Sequence, residues 1–436
     1  MRSGKLIVVI GIACSILVGE CLHASDPGEN SGGGRVGLLT EADWPNWRGP
    51  NHDGSTMTDD EVPLTWNQET GIAWQSPLPG RGHGSAIVVG DQVIITSADA
   101  ETEQQAVHCI DRATGDSLWV SVVHRGGFAK KMNSKATLAS STPACDGERI
   151  YVNFLNDGAV YTTALDRQGD QLWQTKISDY VIHQGYGSSP FVHGDLVIVA
   201  ADNKGGGAVT ALSRKTGKQV WTHARPTKPN YASPIVLNAD GKDQLILTGC
   251  DRVQSLDPVS GSKLWEIEGA TTECVTSTVT DGRVVFSSGG YPRNHISAYL
   301  ADGSGQLAWE DTTRVYVPSM LIRDGFLFGV ADAGIAFCRS AETGEKRWEA
   351  RVSGTFSSSP VLVNDRIYVT SESGATYVFA ADSEQYQLLA KNQLGDSVFA
   401  SPAVSRGCIY QRVARDIDGQ RQEFLVCIGS PAPVEN

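Results

Sequence analysis

The chain has 436 residues, of which 40% are hydrophobic and 19% charged, a composition that indicates a globular protein and excludes a disordered one. The formal net charge is −13, and no run of Lys and Arg interrupts this acidic balance, so nucleic acid and anionic membrane surfaces are excluded as expected partners. The length allows one large repeat domain or two ordinary domains.

The N-terminus predicts a signal peptide at residues 1–24. Two basic residues precede an apolar stretch, Leu6 to Val18, which has the length of a signal core and is too short for an ordinary membrane span. Cys21 leaves a lipid anchor open as an alternative, although Glu20 in front of it is unsuited to lipoprotein processing. We therefore expect an exported protein, periplasmic or extracellular, with association to the cell envelope left open and no transmembrane span after signal removal.

Residues 25–62 predict a flexible linker followed by a Trp-rich lead-in. The linker contains Ser31-Gly32-Gly33-Gly34 and few apolar side chains. The lead-in, Trp44 to Gly54, places two Trp among turn residues and predicts an irregular segment that folds back on the main body, at its simplest as a packing cap. We expect the main domain to span residues 63–430, followed by a tail at 431–436.

A repeated turn organises the main domain. Six times a Gly is followed four residues later by a Trp, and successive Trp positions lie 39 to 54 residues apart. A period of this length indicates stacked equivalent units. The pairs are Gly115/Trp119, Gly169/Trp173, Gly217/Trp221, Gly261/Trp265, Gly305/Trp309 and Gly344/Trp348.

Each unit opens with a small-residue step and continues as four short β-branched runs bounded by Gly, Asn or Asp, which predict four antiparallel strands. Eight such units predict an all-β protein, an eight-bladed β-propeller with four-stranded blades. The first residues of the eight steps are Ser85, Thr142, Ser189, Ser233, Ser277, Ser319, Ser359 and Ser401.

The eighth unit lacks a fourth strand near the end of the chain. Thr70 to Trp74 resembles the turn-and-Trp strand of the other units, so we expect residues near Ile72–Gln75 to supply the outer strand of the last blade. The Trp side chains are expected to fill the gaps between blades, where each ring could bury on the order of 150–250 Å². These blade-packing residues are Trp74, Trp119, Trp173, Trp221, Trp265, Trp309 and Trp348.

Seven cysteines remain after the predicted signal is removed, and an odd number in an exported protein leaves at least one without an intrachain partner. Three of them fall where other repeats carry Ala164 and Ala211, a slot for a small apolar side chain that a free Cys can fill. The sequence does not decide which cysteines pair. The seven are Cys109, Cys145, Cys250, Cys274, Cys338, Cys408 and Cys427, and the three in the Ala slot are Cys109, Cys338 and Cys427.

The pattern Ala211-Leu212, Thr216-Gly217 and Trp221 resembles the quinoprotein-type propeller repeat, also called the pyrroloquinoline-quinone-like (PQQ-like) repeat. The resemblance extends over about residues 63–430 and implies the propeller fold. This family includes PQQ dehydrogenases and also a non-enzymatic relative, the propeller lipoprotein of the outer-membrane β-barrel assembly machinery. Because the same ring serves enzymes and scaffolds, the resemblance does not decide the function.

In the dehydrogenases of this family, the quinone lies on the axis between a disulfide of adjacent cysteines and a Trp floor. An Asp acts as base, and Glu, Asn and Asp side chains hold a calcium ion. This chain has no adjacent Cys pair and no Trp in the loops that lead into the inner strands, where Glu273, Asn230 and Lys135 are scattered. We therefore predict no cofactor and no metal site, with PQQ and calcium as the alternative.

The loops that lead into the inner strands should share one face of the ring, which we call the mouth face. Aromatic side chains mixed with a few polar groups suit recognition of a peptide, a sugar or another protein, although the same rings could simply plug the channel. We predict a non-catalytic binding or scaffold module, with a periplasmic quinone-dependent oxidoreductase as the alternative. A hydrolase would need clustered carboxylates or His at the mouth. The candidate binding residues are Arg81, His83, Lys135, Tyr186, Asn230, Tyr231, Glu273, Tyr316, Phe356 and Phe399.

Overall fold

The computed structural model describes residues 39–239 and 241–431. The predicted signal peptide, most of the linker and nearly all of the tail lie outside the described residues and stay predictions. Within the described ranges the regular elements are β-strands, and none of the chain described there forms a helix able to cross a bilayer.

Eight four-stranded antiparallel blades follow one another along the chain, so the predicted all-β, eight-bladed propeller is confirmed. Blade 1 comprises Ile87–Val89, Gln92–Asp99, Gln104–Asp111 and Ser117–Arg125; blade 2, Ala144–Cys145, Arg149–Asn156, Ala159–Asp166 and Gln171–Asp179; blade 3, Phe191–His193, Leu196–Ala200, Gly207–Ser213 and Gln219–Arg225; blade 4, Ile235–Ala239, Lys242–Gly249, Arg252–Leu256 and Lys263–Glu268. Blade 5 comprises Val279–Thr280, Val284–Gly289, His295–Leu300 and Leu307–Asp311; blade 6, Leu321–Arg323, Phe326–Val330, Ile335–Ser340 and Lys346–Arg351; blade 7, Val361–Val363, Arg366–Thr370, Ala375–Ala380 and Leu388–Gln393; blade 8, Ala403–Ser405, Cys408–Ile417, Gln420–Ile428 and Ile72–Leu78.

Blade 8 joins the two ends of the domain in one sheet. Its outer strand, Ile72–Leu78, pairs antiparallel with Gln420–Ile428, with Ile72 opposite Ile428 and Leu78 opposite Glu423. The alternate residues Trp74, Ser76 and Leu78 of that strand are buried, as expected for a strand with one face against its neighbours. The N-terminal part of the domain therefore completes the sheet that the C-terminal part begins.

Five of the six repeat Gly residues lie against the Trp of the preceding blade. The Trp173 indole packs on the turn at Gly217, where an added Cβ would lie 2.6 Å from the ring, and its Nε1 donates to the Arg214 carbonyl at 3.1 Å. Gly217 also has a φ of +68°, a conformation that suits glycine. The same Trp–Gly contact recurs in the pairs Trp74/Gly115, Trp119/Gly169, Trp221/Gly261 and Trp309/Gly344.

Trp265 departs from this arrangement. Its indole donates to Gln244 Oε1 at 2.7 Å, and the next turn glycine, Gly305, faces Ile267 instead. The junction between blades 4 and 5 is therefore built differently from the regular ones, although Gly305 and Trp309 keep the repeat spacing.

The small apolar slot lies directly opposite the Trp on the neighbouring strand. Cys109 pairs in register with Trp119, Cys338 with Trp348, and Cys427 with Trp74. A larger residue there would compete with the indole for the same space between blades. All seven cysteines of the described chain are buried free thiols, and burial raises the pKa of both Cys109 and Cys338 to about 12.

The small-residue steps form hydrogen bonds between blades around the axis. The Ser189 amide donates to Ser233 Oγ at 2.9 Å, and the Ser319 amide donates to Ser359 Oγ at 2.9 Å. Four equivalent bonds join the described blade pairs 1–2, 2–3, 5–6 and 7–8. The hydroxyl of one step therefore accepts a hydrogen bond from the backbone amide of the step before it, which links neighbouring blades around the axis.

The lead-in segment, which we define as residues 44–56, crosses the end of the axis. Trp44 exchanges two backbone hydrogen bonds with Val88 of blade 1, and the Trp47 indole donates to Ser277 Oγ beside blade 5 at 2.8 Å. Ser55–Thr56 then pairs parallel with the inner strand of blade 7. The segment folds back on the ring as the sequence indicated, and it ties together blades that are distant in the chain.

Arg48 anchors the centre of this lead-in segment. Its buried guanidinium donates to the carbonyls of Asp53 and Met320, and more weakly to that of Pro360 at 3.5 Å. Burial lowers the pKa of Arg48 to about 10, while the charge of Asp53 opposes the shift. Because a buried cation needs several acceptors, this contact fixes the segment against blades 6 and 7.

Candidate functional site

An axial cavity of about 390 Å³ opens on the mouth face. This volume falls within the range of about 300–1,000 Å³ that is usual for small-molecule sites. Residues from the loops leading into blades 1–8, together with the lead-in segment, form its wall. The aromatic rings that line it are Trp47, His83, Tyr186, Tyr231, Tyr316 and Phe399, and the polar residues are Asn133, Lys135, Ser140, Thr142, Gln184, Ser189, Ser233, Ser357, Ser359 and Ser401.

The structure brings six of the ten predicted binding residues together around this cavity. The six are His83, Lys135, Tyr186, Tyr231, Tyr316 and Phe399. The other four predicted residues, Arg81, Asn230, Glu273 and Phe356, do not belong to its lining.

Those four residues support neighbouring structure instead. Asn230 is buried, donates to Asp202 and the Thr248 carbonyl, and accepts from the Cys274 amide. Phe356 is buried in the core. Arg81 forms a backbone bridge with the second strand of blade 1. The sequence places these residues in the right loops but does not say which way their side chains point.

Trp47 is the aromatic lining residue that the loop analysis missed. It belongs to the lead-in segment and lies at the end of the cavity beside the ring of small-residue steps, where its indole bonds Ser277. A search for a floor among the loops leading into inner strands could not find it. The only signal in the sequence is a pair of Trp within a segment otherwise made of turn residues.

One buried polar atom of the lining, Nε2 of His83, has no hydrogen-bond partner among the described residues. The hydroxyl of Tyr231 lies within hydrogen-bond reach of the Gln184 backbone. The His83 ring stacks on Phe399, with centroids 4.3 Å apart. Burial, aided by the nearby charge of Arg81, lowers the pKa of His83 well below its usual value, so this imidazole is neutral at pH 7. Buried groups without partners are uncommon in folded proteins and call for an explanation.

Glu273 lies behind the cavity wall and holds one lining residue in place. The Tyr316 hydroxyl donates to Glu273 Oε2 at 2.9 Å, and His183 Nε2 lies 3.1 Å from Oε1. Burial raises the pKa of Tyr316, and the adjacent Glu273 charge adds to this effect. The carboxylate therefore orients the Tyr316 ring toward the cavity.

The loop between blades 1 and 2 crosses part of the mouth. Lys135 Nζ in this loop lies 2.9 Å from the Glu372 carboxylate of blade 7, and Asn133 Nδ2 donates to Gln184 Oε1 at 2.7 Å. The loop accounts for the longest interval between small-residue steps, 57 residues from Ser85 to Thr142. The unusually long interval between these two steps was therefore the sequence signal for this loop.

The residues around the cavity do not fit a quinone with calcium. Calcium takes six to eight oxygen ligands, but Glu273 already contacts Tyr316 and His183, and Glu372 is paired with Lys135. Nowhere in residues 39–239 and 241–431 do three His, Cys, Asp or Glu side chains group closely enough to hold a metal ion. We therefore derive no chemical step through that cofactor.

Comparison with known proteins identifies the family of this chain. The profile of the family described as outer membrane protein assembly factor BamB matches residues 53–179, 103–348 and 292–406. Together these matches cover well over half of the chain. The chain belongs to the BamB family. The PQQ-like resemblance of its repeats is thereby confirmed.

Individual relatives include an assembly factor and dehydrogenases. BamB of Yersinia pestis, an outer membrane protein assembly factor, is 24% identical over 52% of this chain and 61% of its own length. Polyvinylalcohol dehydrogenase of a Pseudomonas species is 30% identical over 39% of this chain and 27% of its own length. The match thus spans less than two thirds of each relative. Quinohemoprotein alcohol dehydrogenase of Comamonas testosteroni covers 91% of this chain and 82% of its own, with a TM-score of 0.65 and 12% identity, which shows the fold alone.

Proposed function

We propose that this BamB-family propeller is an exported, non-catalytic binding module that holds a ligand, or a segment of a partner protein, in the axial cavity of its mouth face. One observation carries the proposal. The cavity combines aromatic walls with hydroxyls of the small-residue steps, such as Thr142 and Ser189, which accept a backbone amide and keep their own hydrogen for a ligand.

Family membership and the sequence support the same role. The BamB relatives are assembly factors, which favours binding over catalysis, and the predicted signal at residues 1–24 favours export. Residues with the arrangement of a nucleophile and base are not among those that line the cavity. The module would therefore act by holding its ligand rather than by changing it.

A second candidate is a quinone-dependent oxidoreductase. The Trp47 indole at the end of the cavity and the likeness to polyvinylalcohol dehydrogenase favour it. The scarcity of free carboxylates around the cavity opposes it, because Glu273 and Glu372 already have partners. The two candidates differ in what they should do with added quinone.

The test uses the mature chain purified from the periplasm of an expression host. Calorimetric titrations with short peptides, oligosaccharides and PQQ with Ca²⁺ are run on the parent, on Tyr231→Leu, which removes an aromatic wall of the cavity, and on Tyr161→Leu as the matched control. Tyr161 of blade 2 contacts His124 of blade 1 and does not line the cavity. We expect saturable binding of one probe class, weakened by Tyr231→Leu and unchanged by Tyr161→Leu.

Two results would overturn this proposal. Stoichiometric PQQ binding together with reduction of an artificial dye would establish the oxidoreductase instead. Binding that is insensitive to Tyr231→Leu, or no binding of any probe, would remove the cavity as the functional site.

A further inference from the structure

The lining of the axial cavity has no unpaired formal charge among the residues described. Lys135 is its one permanently charged member, and its ammonium is paired with Glu372 at the rim. His83 is neutral because burial and the nearby arginines lower its pKa. A ligand that carried a net charge into this cavity would lose hydration without gaining a counter-charge. The electrostatics therefore favour a neutral ligand.

The polar groups of the lining are mostly hydroxyls, and those of the small-residue steps can still donate. Thr142 Oγ1, Ser189 Oγ and Ser401 Oγ each accept a hydrogen bond from the amide of the preceding blade. A hydroxyl that accepts in this way keeps its own hydrogen for another partner. These step hydroxyls present several directional partners around a small space. A ligand with many hydroxyls of its own would satisfy them.

Flat apolar surfaces alternate with these hydroxyls. The Trp47 indole lies at the end of the cavity, and Phe399, stacked on His83, forms part of the side wall. A sugar ring has the matching construction, since its C–H groups form an apolar face and its hydroxyls point outward from the rim. Aromatic rings provide the broad apolar contact that such a face requires.

We propose that the ligand of this cavity is a neutral sugar unit, seated against Trp47 and Phe399 and hydrogen-bonded to the hydroxyls of the small-residue steps. This inference rests on the proposed function, because it names the ligand class of the same site. An extended peptide fits less well. The cavity holds about 390 Å³, and the lead-in segment blocks its inner end at Trp47 and Ser277, so a chain could not pass through.

The experiment compares neutral and charged forms of the same sugars. Glucose, galactose, mannose and N-acetylglucosamine oligosaccharides are titrated into the mature protein by calorimetry, alongside glucuronic and galacturonic acid oligosaccharides and short peptides. Saturation-transfer NMR then reports which sugar protons lie closest to the protein. We expect a neutral sugar to bind at least about tenfold more tightly than its uronic acid counterpart, with its ring C–H protons receiving the saturation.

Variants locate the binding. Tyr231→Leu removes one aromatic wall of the cavity and should weaken neutral-sugar binding roughly three- to tenfold, the usual effect of losing one aromatic contact. Phe399→Leu should reduce saturation transfer to the ring protons. Tyr161→Leu should leave both measurements unchanged.

The outcomes separate this inference from the proposed function. Peptide binding that depends on Tyr231, without sugar binding, would overturn the sugar assignment while the binding module stands. Uronic acids that bind as tightly as neutral sugars would also overturn it, because the charge argument would be wrong. No binding of any probe would remove both proposals together.

Discussion

Placing a methyl group between a repeat Gly and the Trp that packs on it should destabilise the ring far more than the same methyl in an open turn. Gly217→Ala adds a Cβ at 2.6 Å from the Trp173 ring, whereas Gly194→Ala in the same blade adds one with no atom within 4 Å. Both glycines have positive φ, +68° and +54°. Gly194→Ala therefore carries the backbone strain without the steric conflict and serves as the matched control.

The magnitudes can be worked out from these contacts. Left-handed backbone costs an alanine about 1–2 kcal/mol at either site. At Gly217 the Trp173 ring must also withdraw by about 1 Å to reach ordinary contact distance, and overpacking of this kind costs about 1–3 kcal/mol. The movement strains the Trp173–Arg214 hydrogen bond, whose net value is about 1 kcal/mol. Gly217→Ala should thus cost about 2–4 kcal/mol more than Gly194→Ala.

The assay is urea unfolding of the mature protein at 25 °C, followed by far-UV circular dichroism, with the midpoint and slope compared among variants. A double-mutant cycle sharpens it, because in a Trp173→Ala background the cost of Gly217→Ala should fall toward that of Gly194→Ala, with the contact of the added Cβ with Thr175 Oγ1 at 2.9 Å remaining. Equal free-energy losses for the two alanine variants in the parent background would refute the claim that Gly–Trp contacts hold the blades together.

Three further predictions follow from the fold. Deleting residues 63–78 removes the outer strand of blade 8, so the melting temperature from circular dichroism should fall sharply; a deletion that melts like the parent would contradict the closure. Ser319→Ala leaves the buried Ser277 amide without its acceptor at 3.0 Å and should cost about 1–3 kcal/mol in urea unfolding. Burial lowers the pKa of His295 to about 4, so as the pH falls the unfolded chain takes up a proton before the folded chain does. The free energy of unfolding should therefore decline between pH 6.5 and pH 4. His295→Gln should reduce that decline by up to about 3 kcal/mol, measured by unfolding titrations across this window.

The mouth face was only partly predictable from the sequence. Repeat register places residues in the correct loops, and His83, Tyr231 and Phe399 do meet at the cavity. Register does not fix side-chain direction in an irregular loop, where Asn230 instead turns inward to bond neighbouring backbone. The rotamer of a loop residue depends on contacts with another blade, and those contacts are absent from any local pattern.

What the sequence determined by itself is the architecture. The Gly–Trp turns, the small-residue steps and the missing last strand are local features repeated at a fixed interval, and a repeated local rule leaves one solution for how the units stack. Tertiary structure alone decided where Trp47 goes. Its segment has no periodicity and takes its position from partners as distant in the chain as Ser277 and Met320. The shape of the cavity, and with it the choice of ligand, depends on that long-range closure.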